Sequence, residues 1–131
     1  MISTRGRYAV KFMIDLAEQN AGSPIPLDSI ASRQNISKKY LESIVKILVK
    51  GKLVKGTSGK GGGYFLTRKP EEYSIMEILN LTEGTLASVA CLEEGAQRCP
   101  HEDKCQTISM WRGYDKLTQD YFSKITIRDL L

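Results

Sequence analysis

The chain's three cysteines and its only histidine fall within one short stretch, CLEEGAQRCPHEDKC, running from Cys91 to Cys105. Thiolate and imidazole are the side chains that hold soft and borderline metals, so their confinement to this stretch points to ligation or redox chemistry. The spacing, Cys91-x7-Cys99-x5-Cys105, lacks the paired C-x2-C knuckles of ordinary zinc ribbons. An intramolecular disulfide leaves one thiol over. An iron–sulfur cluster draws several thiolates from a loop able to wrap it and fits best, with structural zinc and a disulfide switch as weaker alternatives. His101 lies two residues after Cys99 and is within reach of the same metal on a flexible loop, although a lone loop histidine is often only solvated.

The chain of 131 residues has the size and apolar content of a single domain with a real core. No apolar run approaches the length of a bilayer span, and MISTRGRYAVKFMIDLAEQN has no signal-peptide core. A cytoplasmic protein with no membrane partner is expected, and a reducing compartment suits an odd number of cysteines. Charge is polarised along the chain. Residues 1–69 carry 13 Lys and Arg against 4 Asp and Glu, a net of +9, whereas residues 70–131 carry 6 against 11, a net of −5. A cationic half joined to an acidic half suits nucleic-acid binding coupled to sensing or assembly, the plainer reading being a solvated basic surface.

The elements that must position the cysteines follow from periodicity. A first helix is expected from Thr4, as its cap, to Asn20, with Val10, Met13, Ile14, Leu16 and Ala17 on its apolar face. After the loop AGSPIP, the segment LDSIASRQ reads as a short helix with Leu27, Ile30 and Ala31 inward. Gln34-Asn35-Ile36 reads as a tight turn. Ser37 then caps a longer helix whose inner face is Leu41, Ile44, Val45 and Leu48, and Gly51 ends it. Two helices joined by such a turn form a helix-turn-helix, and LVKGTSGKGGGYFLT supplies a hairpin directly after the second. Ser74 and Glu77 have capping-box spacing and open a helix to about Leu81 with Ile75, Ile78 and Leu79 inward. A long helix from about Thr107 to Lys124 carries Ile108, Trp111, Tyr114, Leu117, Tyr121 and Phe122, more apolar surface than one small core needs. Dimerisation through Ile108, Trp111, Leu117, Tyr121 and Phe122 is expected, the alternative being that this helix packs only on its own domain.

The fold class is therefore mainly α with a small β-hairpin: a winged helix-turn-helix DNA-binding domain plus a long C-terminal dimerisation helix. Within one compact domain, residues 1–83 form the DNA-binding region, 84–106 the cysteine loop, and 107–131 the dimerisation helix and tail. Double-stranded DNA with a two-fold operator is the expected partner. Lys38, Lys39, Tyr40, Glu42, Ser43 and Lys46, behind Ser37, form the outer face of the recognition helix, with lysines suited to phosphates. Glu42 repels phosphate, so it accepts from a cytosine amino group, disfavours wrong sequences, or is simply exposed. The glycine-rich turn differs from a phosphate-binding loop because Lys60 is followed by Gly61 rather than Ser or Thr. A thin wing tip, with Ser58 and Gly59 and the charge of Lys60, reads better. Arg5 and Arg7 are further phosphate candidates. No nucleophile–base pair or carboxylate dyad is visible, so an enzyme is not expected.

The segments GRYAVKFMIDLA, ISKKYLESIVKIL and GGGY, with three cysteines ahead of MW, resemble the IscR/NsrR family of winged-helix repressors (the Rrf-two family) over nearly the whole chain. The resemblance implies a homodimer whose cysteine loop, through Cys91, Cys99 and Cys105, holds an iron–sulfur cluster that alters promoter binding. It also ties Glu42 to promoter discrimination. The usual fourth ligands are missing: Ile108 stands where IscR-like proteins have histidine, Arg7 where NsrR-like proteins have an acid, and Lys11 where another branch has histidine. His101, the loop acids Glu93, Glu94, Glu102 and Asp103, or solvent are left, with His101 slightly ahead. Without the NsrR-type acid, 2Fe–2S is favoured over 4Fe–4S. The gap between the first two cysteines is longer than in IscR, and Ser58 replaces an arginine beside the wing glycine. The implied function is regulation of iron–sulfur biogenesis genes, with iron–sulfur assembly proteins as possible partners. The alternatives are a cluster-free thiol redox or cysteine-metabolism repressor, a nitric oxide-sensing repressor, or a non-DNA interaction module handling clusters.

Overall fold

The computed structural model describes residues 1–19 and 22–131. Its elements are α1 (Thr4–Gln19), α2 (Leu27–Gln34), α3 (Lys38–Lys50), β1 (Val54–Thr57), β2 (Gly63–Leu66), α4 (Ile75–Glu83) and α5 (Ile108–Lys124). Asn20, the expected last residue of the first helix, lies outside the described residues. The cap of α1 is one residue earlier than expected: the Ser3 hydroxyl accepts from the Gly6 amide at 3.1 Å, and Thr4 is the first helical residue.

Helices α1 to α3 pack into the helix-turn-helix. The turn between α2 and α3 depends on Asn35, whose left-handed backbone (φ 53°) an Asn tolerates better than most residues. Ile36 is buried beneath it. Ser37 caps α3 by accepting from the Tyr40 amide at 3.2 Å. The buried face of α3 is Leu41, Ile44, Val45 and Leu48, as the periodicity predicts. Each of these side chains contributes roughly 1.5–3 kcal/mol by leaving water, which fixes which face α3 turns outward. On α1 the buried set also includes Gly6, Ala9, Phe12 and Asp15, while Val10 and Ile14 are only half-buried.

The wing is an antiparallel hairpin in which Val54 pairs with Leu66 and Thr57 with Gly63. A third, single-residue strand was not legible in the sequence. Ile25 of the α1–α2 loop exchanges both backbone hydrogen bonds with Tyr64, at 2.8 and 2.9 Å. Gly63 permits it, because any Cβ there would strike the Ile25 carbonyl and Pro26 nitrogen.

Ser74 caps α4 by accepting from the Glu77 amide, and α4 runs to Glu83 rather than Leu81, with Thr82 buried in its added turn. The reciprocal half of the capping box is replaced, since the Glu77 carboxylate takes a 2.8 Å ion pair from Arg68. Tyr73 is fully buried and ties the hairpin to the C-terminal half: its hydroxyl donates to the Leu53 carbonyl at 2.8 Å and accepts from the Thr67 and Arg68 amides at 2.9 Å. After α5 the tail returns beside it, with the Ile127 amide on the Tyr73 carbonyl and the Ile75 amide on the Ile125 carbonyl. Ile127 is a fully buried core residue.

Candidate DNA-binding face and cysteine loop

Burial of one side of α3 leaves Lys38, Lys39, Tyr40, Glu42, Ser43 and Lys46 exposed, and Ser37 is exposed at its cap. They are not equally free. Lys38 pairs with Asp28 at 2.9 Å, which holds the Lys38 ammonium above its ordinary pKa by hydrogen bond and charge. The Ser43 hydroxyl donates to the Tyr40 carbonyl at 2.6 Å. The Tyr40 ring meets Tyr8 of α1 edge-on at 5.7 Å, and the Lys11 ammonium lies 5.7 Å from the Tyr8 ring. Tyr8 and Lys11 therefore border the face, which the sequence did not reveal because they belong to another helix.

The orientation of α1 against α2 is locked by Asp15, 1% exposed at its side chain. Its carboxylate accepts from Arg33 at 2.7 and 3.0 Å and from Gln34 at 3.0 Å. The bidentate bond holds the Arg33 guanidinium above its ordinary pKa. At the wing tip, Ser58, Gly59 and Lys60 are all exposed, and Gly59 and Gly61 adopt φ of 86° and 78°. Of the two arginines near the start of α1, Arg5 donates to the Thr82 carbonyl at 3.0 Å and Arg7 to the Thr4 hydroxyl at 3.2 Å. Arg5 is thus joined to the C-terminal turn of α4.

The cysteine stretch joins α4 to α5 and contains two short 3-10 turns, Ala90–Leu92 and Glu102–Lys104. Cys91, Cys99 and Cys105 are free thiols, and all three line one cavity of about 220 Å³. Leu92, Glu102, Ile108 and Arg112 are also in its wall. His101 is exposed and not part of it. Among the described residues, no three His, Cys, Asp or Glu side chains are gathered closely enough to grip a single metal ion. The donor set nevertheless suits a larger group: three thiols around a chamber whose wall also carries two arginines, Arg98 and Arg112, to offset thiolate charge. Thr107, 3.5 Å from the Cys105 sulfur, holds that thiol below its ordinary pKa by hydrogen bonding, with a smaller effect from the Arg112 charge. Glu102 takes ion pairs from Arg112 at 2.8 Å and Arg98 at 2.9 Å, which keep its carboxyl below the usual range.

On α5, the residues expected at a dimer contact divide. Ile108 faces the cysteine cavity and Phe122 packs against the molecule's own core. Trp111 is half-buried. Leu117 and Tyr121 are 71% and 63% exposed, and Met110 and Tyr114, each 56% exposed, extend the same stripe. No helix among the described residues is long and apolar enough to cross a membrane.

With this geometry in place, likeness to known proteins decides the assignment. Residues 2–131 match Rrf2, described as an iron-dependent transcriptional regulator. The chain belongs to the Rrf2 family. The HTH-type transcriptional regulator IscR of Pectobacterium atrosepticum is 32% identical over 130 residues, covering 99% of this chain and 78% of that protein. The structure of CymR, the global cysteine regulator of B. subtilis, superposes with a TM-score of 0.80 at 32% identity, covering 99% of this chain and 95% of that one. T. potens IscR gives 0.77 at 32% identity, covering 99% and 85%. The resemblance and the winged-helix fold read from the sequence are borne out. This Rrf2 protein is a transcriptional regulator that binds DNA and is not an enzyme.

Proposed function

We propose that this Rrf2 protein is a homodimeric repressor whose operator binding is controlled by an iron–sulfur cluster at Cys91, Cys99 and Cys105, acting on iron–sulfur biogenesis genes. The observation that carries this reading is the convergence of all three cysteines on one cavity beside the start of α5. A 2Fe–2S group is favoured because Arg7, a cation, stands where 4Fe–4S relatives of the NsrR type place an acid. When bound, the cluster supplies sensitivity to iron supply and to oxidants.

The remainder is work for the chain's own residues. The exposed face of α3 lies along the major groove, with Lys38, Lys39 and Lys46 on phosphates and Ser37, Tyr40, Glu42 and Ser43 near base edges. Ser58, Gly59 and Lys60 reach an adjacent groove, and Arg7 contacts backbone phosphate. Arg5 is joined to the C-terminal turn of α4 through its Nε and keeps its terminal nitrogens for phosphate. Met110, Tyr114, Leu117 and Tyr121 recur at four, three and four residues, the spacing of a coiled-coil seam, and meet the same stripe of a second copy. The cysteine loop is fastened to α5 by Glu102 on Arg112 and by the Ser88 amide on Asp115 at 2.9 Å. Because α5 packs on α4 and α4 on α3, a change in loop shape tilts the recognition helices of the dimer. A bias of about 1–3 kcal/mol between two such arrangements changes operator affinity by roughly 5- to 150-fold.

Anaerobic loading with ferrous iron and sulfide tests the site. Wild-type protein should take up both in stoichiometric amount with visible charge-transfer absorption, and Cys99→Ala should not. Stoichiometric uptake by Cys99→Ala would overturn the assignment. A cluster-free thiol sensor is the second reading, favoured by the lowered pKa of the exposed Cys105 thiol and the likeness to a cysteine regulator. It predicts no such absorption and an oxidant-dependent change in DNA affinity.

A further inference from the structure

We infer that Glu102 is the fourth ligand of the three-cysteine site, with Arg98 and Arg112 holding its carboxylate in place; this rests on the cluster reading above. Of the candidates left by the sequence, Glu102 alone shares the cavity wall with the cysteines. His101, Glu93, Glu94 and Asp103 are all exposed and outside it. The backbone of Glu102 is bonded directly to two of the ligand residues. Its amide donates to the Cys99 carbonyl at 3.1 Å, and its carbonyl accepts from the Cys105 amide at 3.2 Å. Any movement that brings Cys99 and Cys105 inward therefore carries Glu102 with them.

The carboxylate is oriented for the task. Arg98 donates from Nε to Oε2 at 2.9 Å, and Arg112 donates from its terminal nitrogen to Oε1 at 2.8 Å. A carboxylate has about four acceptor positions, so two such bonds leave each oxygen a lone pair for iron. Ligating carboxylates are ordinarily held by hydrogen bonds of this kind from surrounding groups. The two guanidiniums also place positive charge in the wall of a chamber that would otherwise gather three thiolates and a carboxylate. Arg112 stands on the first turns of α5, so the same contact that steadies the ligand connects the site to the helix carrying the exposed apolar stripe. His101 has neither a wall position nor a partner side chain that would aim it inward.

The experiment compares wild type, His101→Ala, Glu102→Ala and Glu102→Cys after anaerobic loading with ferrous iron and sulfide. Iron and sulfide content, visible circular dichroism and electron paramagnetic resonance of the dithionite-reduced protein are measured, with far-ultraviolet circular dichroism of the apo forms as a check of folding. His101→Ala should match wild type in every spectrum. Glu102→Ala should shift the resonance and lose iron to a chelator at least five-fold faster. Glu102→Cys should retain the cluster with an all-thiolate spectrum distinct from wild type. A changed spectrum in His101→Ala, or a wild-type spectrum and chelator rate in Glu102→Ala, would overturn the inference. Failure of the wild-type protein itself to take up iron and sulfide would overturn the cluster reading and this inference with it, a result separable from the others by the wild-type control.

Discussion

Asp15 is the residue on which the DNA-binding face most depends without touching it. It is buried, accepts three side-chain hydrogen bonds from α2 and so fixes where α2, and with it α3, sits against α1. Asp15→Ala leaves Arg33 without its partner. Arg33 is 37% exposed, so water recovers part of the loss, and the cost should fall at about 1–3 kcal/mol, below that of breaking a fully buried pair. Urea unfolding reads it as a lower midpoint at unchanged slope. Glu42 is the opposite case, exposed and free of any role in the core. Glu42→Ala should leave stability within about 0.5 kcal/mol and broaden the range of duplexes bound, as measured by selection from a random pool. Neither the Asp15 lock nor the wall position of Glu102 was legible beforehand. Asp15 lies 18 residues from Arg33, so no local spacing pairs them, and cavity membership depends on how a loop without periodicity folds.

At the scale of elements, local signals were enough wherever periodicity was strong. The inner face of α3, its Ser37 cap and the bounds of α2 follow from spacing and capping chemistry alone. What escaped were contacts between distant segments: the Ile25–Tyr64 bridge, the return of Ile127 to Tyr73, and the Tyr73 hydroxyl itself. A tyrosine followed by a serine cap gives no sign that its hydroxyl will collect two amides and a carbonyl. Tyr73→Phe orphans those groups and should destabilise the fold by about 1–3 kcal/mol, visible as a lower thermal midpoint. The loss should be felt most at the hairpin base, where amide hydrogen exchange of Thr67 and Arg68 should accelerate.

The whole molecule joins a cationic DNA-binding half to an acidic half that carries the cysteine loop and the exposed apolar stripe of α5. The stripe of Met110, Tyr114, Leu117 and Tyr121 predicts that Leu117→Glu, the most exposed of the four, converts a dimer to monomer in sedimentation at micromolar concentration while the apo fold survives. A monomer should also bind a two-fold operator far more weakly than the dimer, since the second half-site no longer adds to the first. That the state of the cysteine loop sets DNA affinity is tested by titrating duplex operator with loaded and apo protein across a range of salt. Affinities should differ at least five-fold between the two forms, each falling steeply with salt as Lys and Arg contacts release counterions from the DNA. Equal affinities in the two forms, or binding indifferent to salt, would contradict it.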